Sequence, residues 1–177
     1  MSGQEDITRR ELIQISAVTT VAALTAPAAR ASDPTPRFFS KNEFAVVDEL
    51  TELIIPADDH SPGARAAQVA AYIDARLAEA FEEEQRQEWR TGLQRINALS
   101  QEMHGRSFMD GSPEQRIELL TRISRNEPEG QNPEERFFRL LKVSTVHAYY
   151  TSKIGIHQEM EYKGNVLLKD FVGYDAT

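Results

Sequence analysis

Apolar residues recur every three or four positions along most of this chain, and strict alternation is nearly absent, so the pattern predicts helices and little or no strand. Ser40 with Glu43 makes a capping-box signal ahead of Phe44, Val47, Thr51 and Ile54, a stripe that Pro56 stops. Ala57 to Gly63 is a loop by composition, with Ser61 or a neighbour able to cap the next element and Pro62 able to open a turn or helix. From about Ala66 the positions Val69, Tyr72, Ile73, Leu77, Ala80 and Phe81 predict a second amphipathic helix. The run Glu82-Glu83-Glu84 is expected to break or bend the path before a third helix, roughly Gln85 to His104. Its apolar positions include Trp89, Leu93, Ile96 and Met103, and Gly105 is its stop. Ser112-Pro113-Glu114-Gln115 supplies a cap, a first-turn proline and a capping-box glutamine ahead of Ile117, Leu120 and Ile123. After a polar turn from Asn126 to Gln131, Asn132-Pro133-Glu134-Glu135 restarts a helix. It runs through Phe137, Phe138, Leu141, Thr145 and Ala148 to Tyr150 or Ser152. Past Gly155 the periodicity fades into an irregular tail. Five helices with short connectors and no internal repeat predict one small all-α domain over residues 32–177.

The segment before that domain has a different character. Thr8-Arg9-Arg10-Glu11-Leu12-Ile13-Gln14 precedes a mildly apolar stretch from Leu12 to Ala26, then Pro27 and Ala29-Arg30-Ala31. A membrane-crossing helix needs about 20 predominantly apolar residues, and this stretch is shorter and interrupted by Thr19, Thr20 and Thr25. Pro27 and the lack of a regular polar stripe also argue against an ordinary amphipathic helix. Residues 1–31 therefore read as a cleavable twin-arginine (Tat) export signal carried by Arg9 and Arg10. Ala29 and Ala31 form the small-x-small cleavage site, and the mature chain starts near Ser32. That route moves proteins already folded, so this chain or something bound to it must fold before export. The remaining sequence has no segment long and apolar enough to span a bilayer, so any membrane association is expected to be indirect, through partners.

Charge and composition narrow the function classes. The formal net charge is −8, and because Arg9, Arg10 and Arg30 balance Glu5, Asp6 and Glu11, all of the excess lies beyond residue 31. Such a surface repels phosphate backbones, which disfavours nucleic acid as a partner. The absence of cysteine excludes disulfides, thiolate metal sites and cysteine nucleophiles together. None of His60, His104, His147 and His157 has a glutamate three residues earlier, and His-Glu-x-x-His does not occur. There is no Gly-x-Ser-x-Gly elbow and no glycine-rich phosphate or dinucleotide loop. Asp58-Asp59-His60 places three ligand types together, but consecutive loop residues rarely converge on one ion, and a solvated cap-and-turn cluster is the expected reading. His147, inside an apolar helix, is expected to be a hydrogen-bonded structural histidine. The carboxylates are expected to be solvated on helix surfaces.

Two segments carry more unusual residues than a solvated bundle needs: Leu53 to Ala64, and Thr145 to Gly155 followed by Tyr162-Lys163-Gly164-Asn165. At the end of the last helix, adjacent Tyr149 and Tyr150 cannot both face one core. Either one is core and the other covers it, or at least one offers a flat amphipathic surface to a partner. The pattern of residues leaves both open.

These residues resemble the gluconate 2-dehydrogenase subunit 3 family, the small subunit of flavin-dependent sugar and sugar-acid dehydrogenase complexes. The resemblance runs from the twin-arginine leader through Ile54-Ile55-Pro56-Ala57-Asp58-Asp59 and Pro62-Gly63 to Tyr149-Tyr150-Thr151-Ser152, Gly155, Tyr162 and Gly164-Asn165. Near the end, Phe171-Val172-Gly173-Tyr174 replaces a Phe-Pro-Gly-Cys-like ending, and Glu161 before Tyr162 is unusual. The resemblance implies a non-catalytic subunit with no cofactor of its own. Its partner would be a large FAD-binding subunit of the glucose-methanol-choline (GMC) type, often with a cytochrome c subunit that takes electrons onward. It also implies a periplasmic location, with the leader of the small subunit exporting both proteins. Composition and family together nominate Pro56, Asp58, Asp59, Pro62, Gly63, Tyr149, Tyr150, Thr151, Ser152, Gly155, Tyr162, Gly164 and Asn165 as the partner interface. The competing expectation is an independent periplasmic metal-binding protein or enzyme using Asp58, Asp59 and His60, with His147 as a further ligand. A free-standing sugar-binding protein lacks a visible aromatic and polar ligand set and ranks last.

Overall fold

The Ser40 hydroxyl accepts from the Glu43 amide at 3.2 Å, and the Glu43 carboxylate accepts from the Ser40 amide at 2.8 Å, so the predicted capping box opens the first helix. This helix is α1 (Lys41–Ile54) in a computed structural model that describes residues 35–164. The leader residues Arg9, Arg10, Ala29 and Ala31, together with Asn165 and the Phe171 to Tyr174 ending, lie outside the described residues. Then follow α2 (Gly63–Ala66), α3 (Val69–Glu79), α4 (Glu83–His104) and α5 (Pro113–Ser124). A 3₁₀ turn (Glu127–Glu129), α6 (Pro133–Tyr150) and a π-helical turn (Gly155–Glu159) complete the order. Among the described residues every regular element is helical, and no helix is long and apolar enough to cross a membrane.

α6 is the hub, packing against α1, α3, α4 and α5. Its inner face supplies Phe137, Phe138, Leu141, Thr145, Ala148 and Tyr149. Trp89 of α4 stands edge-on to Phe137, with ring centroids 5.6 Å apart. Leu50, Leu93, Ile96, Leu119 and Leu141 are fully buried in the same core. Each such fully buried side chain stabilises the fold by roughly 1.5–3 kcal/mol relative to exposure. The segment before α1 is fastened from α3. The buried Asp74 carboxylate accepts the backbone amides of Arg37 at 2.6 Å, Phe38 at 3.1 Å and Phe39 at 2.8 Å.

The second predicted helix differs from expectation at both ends. At its start the chain makes the one-turn α2, and Gln68 takes a left-handed conformation (φ 56°) before α3 begins. At its end α3 stops at Glu79, Ala80 is extended, and Phe81 is fully exposed rather than part of the apolar stripe. Arg86 reaches back from α4 and caps this end, its guanidinium donating to the carbonyls of Leu77 at 3.1 Å and Ala80 at 2.7 Å. The path does break ahead of the third helix, as expected, with Ala80 and Glu82 both extended. Glu83 and Glu84 form the first turn of α4, where negative charge offsets the positive end of the helix dipole. Gly105 ends α4 in the left-handed conformation, as the sequence predicts. Ile117 departs from its predicted stripe and is 54% exposed. Past Tyr150 the chain is not wholly irregular, because it makes the π turn before Met160.

Candidate partner interface

The two segments that stand out in the sequence meet. Ser61, in the loop between α1 and α2, and Tyr149, at the end of α6, share a hydrogen bond between their hydroxyls across 88 positions of sequence. Both side chains are buried. The bond docks the loop on the end of the hub helix and fixes the two surfaces relative to each other.

The loop is shaped from within. Asp58 Oδ1 accepts from the amides of His60 at 2.8 Å and Ser61 at 2.7 Å, while the Asp58 amide donates to the Ser61 carbonyl at 2.7 Å. Those two amide donors hold the Asp58 carboxyl below its ordinary pKa. The Ser61 hydroxyl also accepts from the Gly63 amide at 3.2 Å, although Pro62 rather than Ser61 takes the N-cap position of α2 and no side chain caps that helix. Gly63 has φ +82°, and a Cβ there would lie 2.7 Å from the Ala57 nitrogen, so only glycine fits. Glu52 of α1 closes the loop, accepting from the amides of Ala57 at 3.3 Å and Arg65 at 2.7 Å. Arg65 in turn bonds Asp48 at 2.6 Å and Glu49 at 2.9 Å.

At the other segment, Thr151 donates to the His147 carbonyl at 2.7 Å and the Ser152 hydroxyl accepts from the Gly155 amide at 3.0 Å. A Cβ on Gly155 would sit 2.2 Å from the Tyr149 carbonyl oxygen, so this position needs glycine for close approach. The Tyr162 amide donates to the Ile156 carbonyl at 3.0 Å, its ring is about half exposed, and Gly164 is exposed with φ +94°.

This geometry sorts the nominated residues. Pro56, Asp58, Asp59, Tyr150, Thr151, Tyr162 and Gly164 lie on the surface, and Pro62 and Ser152 are half-buried. Tyr149, Gly63 and Gly155 are buried, which corrects their nomination as contact residues; they hold the surface in place from beneath. Of the two tyrosine alternatives, Tyr149 is core and Tyr150, packed edge-on at 5.3 Å, stands over it at 39% exposure. His147, expected to be a hydrogen-bonded structural histidine, is exposed beside Tyr72, whose hydroxyl lies 3.5 Å from its Nε2. Asp58, Asp59 and His60 are exposed. Asp58 Oδ1 is committed to its own backbone, and no three His, Asp or Glu side chains gather as a metal-ligand group among the described residues.

One surface feature is absent from the expectations above. Val143 is 60% exposed and Val146 38% exposed, and with Tyr150 they occupy i, i+3 and i+7 on the side of α6 facing away from the core. The signal is present in the sequence as a second, weaker apolar stripe out of phase with Phe138, Leu141, Thr145 and Ala148.

Two comparisons with known proteins match nothing: no curated protein and no solved structure resembles the chain closely enough to pair with it. The comparison with protein families does match. The model described as gluconate 2-dehydrogenase subunit 3 covers residues 41–166, which takes in the described helices, the loop and the α6 end.

Proposed function

The chain belongs to the gluconate 2-dehydrogenase subunit 3 family, and on that premise we propose that it is the non-catalytic small subunit of a periplasmic sugar or sugar-acid dehydrogenase. In this reading it binds and stabilises a large FAD-binding subunit of the GMC type. Its leader, with Arg9 and Arg10, takes that partner through the twin-arginine route and is removed after Ala31. Flavin is available in the cytoplasm, so the partner acquires it there, folds, and crosses as a complex. A cytochrome c subunit would receive the electrons afterwards and hold the assembly at the membrane.

The observation that carries this reading is the Ser61–Tyr149 bond, which joins the loop and the α6 end into one pre-formed surface. A pre-ordered surface loses little conformational entropy on association. A subunit that binds only the folded partner raises the partner's stability by RT ln(1 + [L]/Kd), about 2.7 kcal/mol when its concentration is 100 times Kd. No catalytic step on this chain is required. The test is co-expression with the FAD-binding dehydrogenase subunit of the same genome, followed by size-exclusion chromatography, metal analysis and a sugar-oxidation assay. The expected result is a stoichiometric complex whose activity resides in the flavoprotein. Sugar oxidation or a stoichiometric metal in the isolated chain, or no complex at all, would overturn the proposal.

A further inference from the structure

We propose that the cleft between α3, α4 and α6 binds a small carboxylic acid that carries hydroxyl groups. Arg76 and the Trp89 indole N–H read its carboxylate, and Tyr72, Gln85, Ser144 and His147 read its hydroxyls. The inference goes beyond the accessory-subunit reading and does not depend on it.

The cleft has a volume of about 180 Å³. That is below the roughly 300–1,000 Å³ of sites that take drug-sized molecules, so its ligand is smaller. Tyr72 and Arg76 come from α3, Gln85 and Trp89 from α4, and Ser144 and His147 from α6. Among the described residues no aspartate or glutamate lines it. The set does not show along the chain, because Tyr72 and His147 are 75 positions apart.

Trp89 supplies the observation that points to a ligand. It is 2% exposed and packs on the rings of Phe39 at 6.0 Å and Phe137 at 5.6 Å, which fix it in place. A buried indole N–H ordinarily finds an acceptor, yet among the described residues nothing accepts from this one. The sealed side-chain atoms without a partner are His104 Nε2, Arg116 Nε and Glu159 Oε2, and the Trp89 nitrogen is not one of them. It therefore keeps an opening, and the cleft is the opening that Trp89 lines.

The other polar groups of the cleft are also uncommitted. Arg76 makes no ion pair, and the side chains of Gln85 and Ser144 make no hydrogen bond, among the described residues. The Tyr72 hydroxyl lies 3.5 Å from His147 Nε2, beyond the usual span of about 2.7–3.2 Å. Arg76 also lines a neighbouring hollow with Glu79 and Glu82, but Arg37 holds Glu79 at 2.9 Å and neither carboxylate pairs with Arg76. A guanidinium and an indole N–H only donate, which suits carboxylate oxygens, and the guanidinium fork matches a carboxylate in shape as well. Hydroxyls, a primary amide and an imidazole both donate and accept, which suits ligand hydroxyls. The net charge of −8 does not decide the matter, because exposed charges are largely screened beyond about 8 Å at physiological salt. Within that distance the groups of the cleft set the preference.

Trp89 is the only tryptophan of the chain, so its indole N–H gives one identifiable signal in a nitrogen-15 NMR spectrum. The full chain is titrated with sodium D-gluconate at constant ionic strength, and in parallel with D-glucose, sodium acetate and inorganic phosphate. Glucose keeps the hydroxyls without the carboxylate, and acetate the carboxylate without the hydroxyls. Expected is a saturable shift of the indole signal with gluconate, and binding weaker by roughly tenfold or more for each of the other three. Arg76→Gln should weaken gluconate binding by roughly tenfold or more, as expected for a lost hydrogen bond to a charged group. Arg106→Gln, at an exposed arginine outside the cleft, should leave it unchanged. Circular dichroism confirms that both variants fold, and the titration of the unaltered chain needs no variant at all. An indole signal that gluconate does not move would overturn the proposal. Equal binding of glucose, acetate or phosphate, or an unchanged affinity in Arg76→Gln, would overturn it too, as would a signal that moves only when the FAD-binding subunit is added. None of these outcomes bears on the accessory role, which the co-expression experiment decides separately.

Discussion

Asp74→Ala removes the carboxylate that fastens the start of the domain. Asp74 accepts three backbone amides, from Arg37 at 2.6 Å, Phe38 at 3.1 Å and Phe39 at 2.8 Å. Hydrogen bonds to a charged group each contribute about 1.5–3 kcal/mol, and a buried donor left without a partner costs about 1–3 kcal/mol. The Phe39 amide is buried and bears the full cost, whereas water can reach the other two once the segment loosens, so the expected loss is about 3–4 kcal/mol. That is a large part of a typical 5–15 kcal/mol of stability. At about 2–4 °C per kcal/mol the melting temperature should fall by roughly 10 °C. Asp74→Asn keeps one acceptor oxygen and should lie between alanine and the unaltered protein. Urea and thermal unfolding give the magnitudes, and hydrogen exchange locates the effect: the Arg37 to Phe39 amides should lose protection first. A change under about 0.5 kcal/mol for Asp74→Ala, or unchanged protection of those amides, would refute the reasoning. The start of the described chain, Arg37 to Phe39, is thus tied to α3 only in the folded state.

Ser61→Ala and Tyr149→Phe should show a coupling of about 1 kcal/mol in a double-mutant cycle followed by urea unfolding, and additive effects would mean that the bond between loop and hub helix contributes nothing. Gly155→Ala forces a Cβ against the Tyr149 carbonyl and should cost about 1–3 kcal/mol in thermal unfolding, an unchanged melting temperature being the contrary result. Burial raises the pKa of Glu49, but hydrogen bonds and charge from Arg116 and Arg65 outweigh it and hold the carboxyl below its ordinary 4.5. A carboxyl with a depressed folded pKa contributes stability that is complete above its unfolded pKa and lost as pH falls through the folded value. The stability difference between Glu49→Gln and the unaltered protein should therefore be largest above about pH 4.5 and shrink below it; a difference independent of pH would contradict the assignment.

The helices were legible where the chemistry that starts and stops them is local. The boxes at Ser40 with Glu43 and Ser112 with Gln115, the proline at position 113 and the glycine at position 105 all act within one turn, and the structure has them as expected. The failures came where one residue's backbone decided the outcome. Gln68 adopts a left-handed conformation without being glycine, and Ala80 turns extended before Phe81, so neither break shows in the apolar periodicity. Asp74 was hidden for another reason: on the sequence it is one more carboxylate on a helix, and its partners lie 35 to 37 positions away. At the interface, composition picked out both segments but not which tyrosine was inside. Helical phase contains that answer, since Tyr150 falls opposite Leu141, Thr145 and Ala148 while Tyr149 lies near them. Val143 is hard to single out in the sequence because its stripe, though out of phase with the core positions, is short and shares a helix with the stronger core stripe.

Carriage of a folded flavoprotein partner out of the cytoplasm is the proposed role on which the rest of the account depends. Arg9→Lys together with Arg10→Lys, followed by cell fractionation and quantification of both proteins, puts that role to the test without touching the folded domain. The double variant should leave this protein and the FAD-binding subunit together in the cytoplasm, with periplasmic dehydrogenase activity lost. Normal periplasmic levels of the flavoprotein while this chain stays behind would contradict shared export.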